Sequence, residues 1–237
     1  MIEVRGLTKA FGRLTVLNGL DLRVRPGRVT AIIGPNAAGK TTLIKIMLGL
    51  TRPDAGQILL GGQPATADGA YRSRIGYMPQ IARFPDNLSA RNLLALLADL
   101  RGPEVTIDRE LVRAFGLEPQ LDKPLRTLSG GTRQKVNAVM AFRFTPDLMI
   151  LDEPTAGLDP IASGILKDKI AAERASGRTV IIASHIMSEL DELADDVAVL
   201  LDGKLRFGGP MEDLKRTTRQ GNLERAIAQL MIRGVAA

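Results

Sequence analysis

The sequence predicts an α/β fold: a mixed, largely parallel sheet, with N-terminal strands before it and a helical segment inserted in its middle. Three observations predict it. Residues 29–33, 148–154 and 179–185 are apolar runs bounded by turn residues, the pattern of strands buried on both faces. Residues 2–5 and 14–24 alternate apolar and polar instead, as half-buried antiparallel strands do. Between 81 and 128 helical patterns follow one another with no strand between them. At 237 residues the chain is long enough for one sizeable core and a subdomain.

Taken in order, the first two strands are separated by Lys9-Ala10-Phe11-Gly12, which reads as a loop. Phe11 there stands outside any apolar stripe, so its ring is free to face a nucleotide base. Pro26-Gly27 turns the chain into the buried strand 29–33. The next nine residues organise the rest. Gly34-Pro35-Asn36-Ala37-Ala38-Gly39-Lys40-Thr41-Thr42 has the spacing G-x-x-x-x-G-K-T and leads into a helix that ends at Gly49. A strand, a tight glycine turn and a helix in that register make a phosphate-binding loop. Unpaired N–H groups and the helix dipole favour an anion at the helix N-terminus. Gly34 and Gly39 let the backbone curl without a Cβ in the way. Lys40 brings a point charge to the outer phosphates, and the Thr41 hydroxyl can ligate Mg²⁺.

Residues 52–62 read as a turn and a short strand, and 75–80 as another strand that Pro79 ends, leaving Gln80 at its tip. Ser89 caps a helix through 91–98, and a second spans 108–115. Leu128-Ser129-Gly130-Gly131-Thr132 then opens a helix over 132–144, with Ser129 as cap and paired glycines exposing the free N–H groups. This is a second anion-competent turn. Charge supports both: no Asp or Glu occurs between Leu22 and Pro53 or between Lys123 and Asp147.

The apolar strand 148–154 delivers two adjacent carboxylates at its C-terminal end, and ligands of open parallel sheets bind at such strand ends. Asp152 is suited to Mg²⁺, directly or through water, and Glu153 to orienting or deprotonating a water. Gly157-Leu158-Asp159-Pro160 starts another helix. The strand 179–185 ends in His185, the single histidine of the chain, so that Gly34, Asp152 and His185 are expected at one sheet edge. Asp202-Gly203 joins a hairpin, and helices from Pro210 and Asn222 close the chain.

Composition narrows the classes. There is no cysteine, hence no disulfide or thiolate metal site, and no apolar run near the roughly 18 residues that span a bilayer. The first residues lack a signal peptide's apolar stretch. The net charge of +6 permits an anionic partner and decides nothing by itself.

The ordered set of phosphate loop, Gln80, Leu-Ser-Gly-Gly, Asp152-Glu153, Gly157-Leu158-Asp159 and His185 resembles the ATPase subunits of ABC transporters over the whole length. No Asn-Lys-x-Asp guanine-reading motif is present. The resemblance implies a P-loop NTPase with a RecA-like core: residues 1–80 and 145–210 form the nucleotide core with an antiparallel β subdomain, 81–144 a helical subdomain, and 211–237 C-terminal helices. It implies an ATP hydrolase that pairs head to tail with a second ATPase subunit, a homodimer being the expected case, and that drives separate transmembrane permease subunits from the inner face of the membrane. No nucleic-acid binding is expected. Phe11 would stack on adenine. Gly34 and the run Asn36, Ala37, Ala38, Gly39, Lys40, Thr41 and Thr42 would hold the phosphates. Thr41, Gln80 and Asp152 would serve Mg²⁺, with Glu153 as general base and His185 on the γ-phosphate. Ser129, Gly130 and Gly131 would face the partner's nucleotide, with Asp159 crossing between subunits. Three departures from the family pattern stand out. Ala37 replaces a glycine and is strained if its position needs φ > 0; Thr132 stands where Gln is common; Phe11 replaces Tyr. A narrower resemblance, through Ser129 to Val136, Ser184 to Ser188 and Asn222 to Ile227, is to the ATPases of nitrous-oxide reductase maturation and copper-site assembly. A generic or multidrug exporter ATPase is the alternative, and a soluble ABC ATPase of DNA repair or translation, or a non-catalytic regulatory partner, the more distant ones.

Overall fold

The computed structural model describes residues 2–65, 69–102 and 108–235; Met1, Ala236 and Ala237, the outermost positions of the expected single domain, lie outside it. β1 (Ile2–Phe11) pairs antiparallel with β2 (Leu14–Val24) and with β4 (Ala55–Leu60), and β5 (Gln63–Pro64) follows β4, giving the order β2-β1-β4-β5. The loop expected at residues 9–12 is corrected here. Lys9, Ala10 and Phe11 belong to β1, opposite Leu17, Thr15 and Leu14. Asp54 braces this extension: its N–H donates to the Thr8 carbonyl at 2.9 Å, and its carboxylate accepts from Ala10 N at 2.6 Å and Lys9 Nζ at 2.7 Å. The β1–β2 register shifts three times between Val4 and Ala10. Each irregularity breaks the two-residue period, so the alternation fades before the strand does.

The second sheet runs β10-β9-β3-β8-β7-β6. β3 (Val29–Ile33), β6 (Ile75–Met78), β7 (Leu148–Asp152), β8 (Thr179–Ala183) and β9 (Asp196–Leu201) are parallel, and β10 (Lys204–Pro210) lies antiparallel on β9 at one edge. Its central strands β3, β7 and β8 are buried along their whole length because they feed two cores. Ile32, Ile150 and Ile181 point to the core shared with the first sheet and with α1 (Lys40–Met47), which contributes Leu43, Ile44 and Met47. Ala31, Met149, Val180 and Ile182 point to the opposite core.

That second core is roofed by helices. α2 (Ala90–Arg101), α3 (Glu110–Ala114) and α4 (Gly130–Phe142) precede β7, and α5 (Pro160–Ala175) follows it. α6 (Met187–Leu193), α7 (Met211–Thr218) and α8 (Leu223–Val235) come later. Ser89 caps α2 as expected, in a reciprocal box with Asn92: Asn92 N donates to Ser89 Oγ and Ser89 N to Asn92 Oδ1, each at 3.2 Å. The helices expected over 108–115 and 132–144 are shifted to Glu110–Ala114 and Gly130–Phe142, since Ser129 is the cap and the glycines already count as helix. α6 has no counterpart among the expected elements.

One buried ion cluster ties α5 to the start of α3. Lys169, 6% exposed, reaches Asp108 and Glu110 at 2.5 Å each and Glu173 at 2.9 Å, and Arg178 joins Glu173. Burial works against the Lys169 charge, but the three carboxylates outweigh it and hold the ammonium well above its usual range. Likewise, burial pushes the Asp108 carboxyl up, and hydrogen bonds from Lys169 and the Glu110 N–H more than reverse it. Among the described residues no helix is long and apolar enough to cross a membrane.

Candidate functional site

The strand order reverses around β3. The chain moves from β3 to β6 at the far edge, returns through β7 and β8, then passes over β3 to β9. Ligands bind outside the carboxyl ends of strands at such a switch. The ends are level there: Ile32 pairs with Ala183, Asp152 with Ala183, and Met78 with Leu151. The residues after each strand therefore enter one cleft.

That cleft, about 710 Å³, is lined by Phe11, Leu14, Val16, Asn36, Ala37, Ala38, Gly39, Lys40, Thr41, Thr42, Gln80, Asp152, Glu153 and His185. Its size falls in the range of small-molecule sites, roughly 300–1,000 Å³. The loop between β3 and α1 cannot spare its glycines. A Cβ on Gly34 would meet the Leu200 carbonyl at 2.3 Å, and one on Gly39 would meet Leu17 Cδ2 at 2.7 Å and the Val16 carbonyl at 2.9 Å. Gly39 also has φ 103°. Ala37 has φ 65°, so the condition for strain is met, at a cost of about 1–2 kcal/mol for a residue with a Cβ. Lys40 Nζ donates to the carbonyls of Gly34, at 2.6 Å, and Pro35, at 3.1 Å. Burial pulls its ammonium below the usual lysine range, with Glu153 and Asp152 opposing.

Across the cleft, Glu153 also sits in the left-handed region, at φ 49°. Such strain concentrates at functional sites. Its backbone N donates to the Ala183 carbonyl at 2.8 Å, which turns the side chain toward the end of β8. Glu153 Oε1 lies 2.8 Å from His185 Nδ1, and Oε2 accepts from Ser184 Oγ at 3.0 Å. His185 keeps its side chain 72% exposed while Glu153 is nearly enclosed. Burial and the neighbouring Glu153 push the Asp152 carboxyl up, opposed by Lys40 and Lys45. Tyr77 is pushed up to about 12 by burial and by Asp152. A carboxyl pushed up by burial and a like charge, as Asp152 is, gains from a nearby cation.

The oxygen donors Thr41, Gln80 and Asp152 line one cleft, and hard oxygen ligands of this kind suit Mg²⁺. Among the described residues no group of three or more His, Cys, Asp or Glu side chains could hold a metal alone. A metal here thus needs hydroxyl, amide, water or phosphate oxygens as well.

The other expected residues lie elsewhere. Gly34 sits beneath the loop against Leu200. Ser129, Gly130, Gly131 and Asp159 do not line the cleft. Ser129 caps α4, its Oγ accepting from Thr132 N at 3.2 Å and lying 2.8 Å from Thr132 Oγ1, so Thr132 closes the turn locally. Asp159 caps α5 through Ala162 N at 2.8 Å and pairs with Lys135 of α4 at 2.9 Å. A Cβ on Gly131 would stand 3.2 Å from the Gly157 carbonyl, so the two turns are neighbours. Sequence reasoning missed Ser184, Val16, Leu14 and Lys135. Ser184 had a signal, a hydroxyl directly before the strand-end histidine.

Comparison with known proteins identifies the family to which this fold belongs. The family model described as ABC transporter matches residues 17–156. The Nod factor export ATP-binding protein I of Ralstonia nicotianae is 36% identical over 219 residues, covering 90% of this chain and 68% of that protein. The daunorubicin resistance ATP-binding protein DrrA3 of Streptomyces coeruleorubidus is 35% identical over 250 residues, covering 99% of this chain and 79% of its own length. A solved structure of the ATP binding subunit of an ABC transporter superposes with a TM-score of 0.91 at 31% identity, over 98% of this chain and 99% of that one. The chain belongs to the ABC transporter family, as one of its ATP-binding ATPase domains.

Proposed function

We propose that this chain is the motor subunit of a transporter, binding MgATP and hydrolysing it with each nucleotide held between two copies of the chain. One observation carries the reading. Two anion-competent turns lie on one polypeptide, and only the first, residues 34–42, walls the cleft; Ser129 and Gly130 are exposed on a separate helix end. A head-to-tail pair gives the second turn its ligand.

In this reading Phe11 stacks on adenine, residues 36–42 hold the phosphates with Lys40, and the partner copy's turn closes on the γ-phosphate. Thr41, Gln80 and Asp152 would hold Mg²⁺, which would supply charge neutralisation at the phosphate oxygens. Glu153 takes a proton from water as the water oxygen attacks the γ-phosphorus. The bond from that phosphorus to the bridging oxygen breaks, and ADP and inorganic phosphate leave. His185 contacts the γ-phosphate and keeps Glu153 oriented. ATP touches both copies and so favours the closed pair; hydrolysis removes that differential contact and lets the pair open. Gln80 and the helices after it pass the closure to transmembrane permease subunits, with the chain peripheral on the inner membrane face.

For cargo, the resemblance through Ser129 to Val136, Ser184 to Ser188 and Asn222 to Ile227 supports copper-site maturation of nitrous-oxide reductase. The relatives named for Nod factor export and daunorubicin resistance support a generic or multidrug exporter instead. Reconstitution with transmembrane permease subunits of either kind separates the two by which cargo stimulates turnover.

The central test is Glu153→Gln. Turnover should fall about 10²–10⁴-fold, the usual contribution of a general base, while ATP binding persists and drives pairing in size-exclusion chromatography. Turnover at the wild-type rate would overturn the base; a variant that stays monomeric with saturating ATP would overturn the shared site.

A further inference from the structure

α4 lies directly on β6. A Cβ on Gly76 would meet the Ala141 carbonyl at 2.1 Å, so helix and strand backbones touch with no side chain between them. One turn nearer the helix N-terminus, Asn137 Nδ2 donates to the Pro79 carbonyl at 2.8 Å and to Gln134 Oε1 at 3.2 Å. Asn137 is 2% exposed, among Val136, Ala138 and Val139, which are as deeply buried. An apolar residue would pack there; a buried amide is costly unless its hydrogen bonds are made. The bond it makes is at a telling place. Pro79 directly precedes Gln80, which lines the cleft. The same helix is capped by Ser129, eight residues away, about 12 Å along an α-helix.

We propose that Asn137 is a positioning residue that ties the setting of Gln80 in one subunit's cleft to the setting of that subunit's Ser129–Gly131 turn. A subunit then presents its turn to a second copy in the right place only when its own Gln80 is seated. The inference rests on the proposed function, in which Gln80 serves the subunit's own nucleotide and the turn serves its partner's. Gln134 supports the latch: it is 7% exposed, accepts from Asn137, and its Nε2 has no acceptor among the described residues.

The experiment uses Asn137→Leu, which keeps volume and removes the donor, and Asn137→Ser, whose hydroxyl stops short of the Pro79 carbonyl and which is read if the leucine variant does not fold. In both, kcat should fall about tenfold, while ATP affinity of the isolated subunit and KM stay within about twofold; tenfold corresponds to the roughly 1.4 kcal/mol that such a hydrogen bond carries. Mixing gives the readout that a local packing defect would not move. Paired with Glu153→Gln subunits, the Asn137 variant should regain turnover, because its own intact cleft is then served by an unaltered turn. A folded Asn137 variant with kcat within twofold of wild type, or one that mixing does not rescue, overturns the inference. Wild type hydrolysing no faster than Lys40→Ala overturns the ATPase reading and this inference with it.

Discussion

The two glycine turns of this chain look alike in sequence and differ in what requires their glycines. In the loop after β3 the chain itself forbids a side chain: Leu200 stands behind Gly34, and Leu17 and Val16 stand behind Gly39, whose φ of 103° already excludes most residues. At the start of α4 nothing lies within 4 Å of a Cβ on Gly130, and neither Gly130 nor Gly131 has a positive φ. One turn is glycine because of its own fold. The other is glycine with no internal demand for it at Gly130, as the proposed pairing would require.

That contrast can be broken in four ways. Lys40→Ala removes the cation of the inner turn and should weaken nucleotide binding by ~3 kcal/mol, more than a hundredfold, the upper range for hydrogen bonds to charged groups; titration with a fluorescent ATP analogue measures it. Gly39→Ala should cost about 2–3 kcal/mol of folding stability through overpacking and a poor φ, seen in urea unfolding, besides impairing binding. Gly130→Ala should leave unfolding unchanged or raise stability by up to ~1 kcal/mol, as for glycine replaced within a helix, yet slow turnover about tenfold. Were Gly130→Ala instead to unfold the chain while Gly39→Ala did not, the comparison would be reversed. The smallest effect is Ala37→Gly, which relieves the left-handed strain and should stabilise the fold by about 1 kcal/mol in the same unfolding assay.

Much of the fold was legible because burial on two faces writes itself as an uninterrupted apolar run. β3, β7 and β8 are legible that way, and with them the three strand ends that make the site. Their adjacency is not, since β3 and β8 are neighbours only through pairing between distant segments. Phe11 was misplaced because the irregular register of β1 erases alternation where the strand is still paired. α6 was missed for a different reason. Met187–Leu193 is barely two turns, its cap residue Ile186 makes no side-chain bond, and only Leu190 and Leu193 are buried, too few to show a period. Lys135 was invisible in its pairing with Asp159, because a lysine one helix away carries no mark of the acid it will meet.

Lys169 has a consequence for how the helical insert can move. Its ammonium binds acids from both sides of the junction, so lifting α3 away from α5 would break its bonds to Asp108 and Glu110 and leave it Glu173 of its own helix. Those two bonds fasten α3 to α5 at this corner, so a movement of one helix relative to the other has to break them or turn about them.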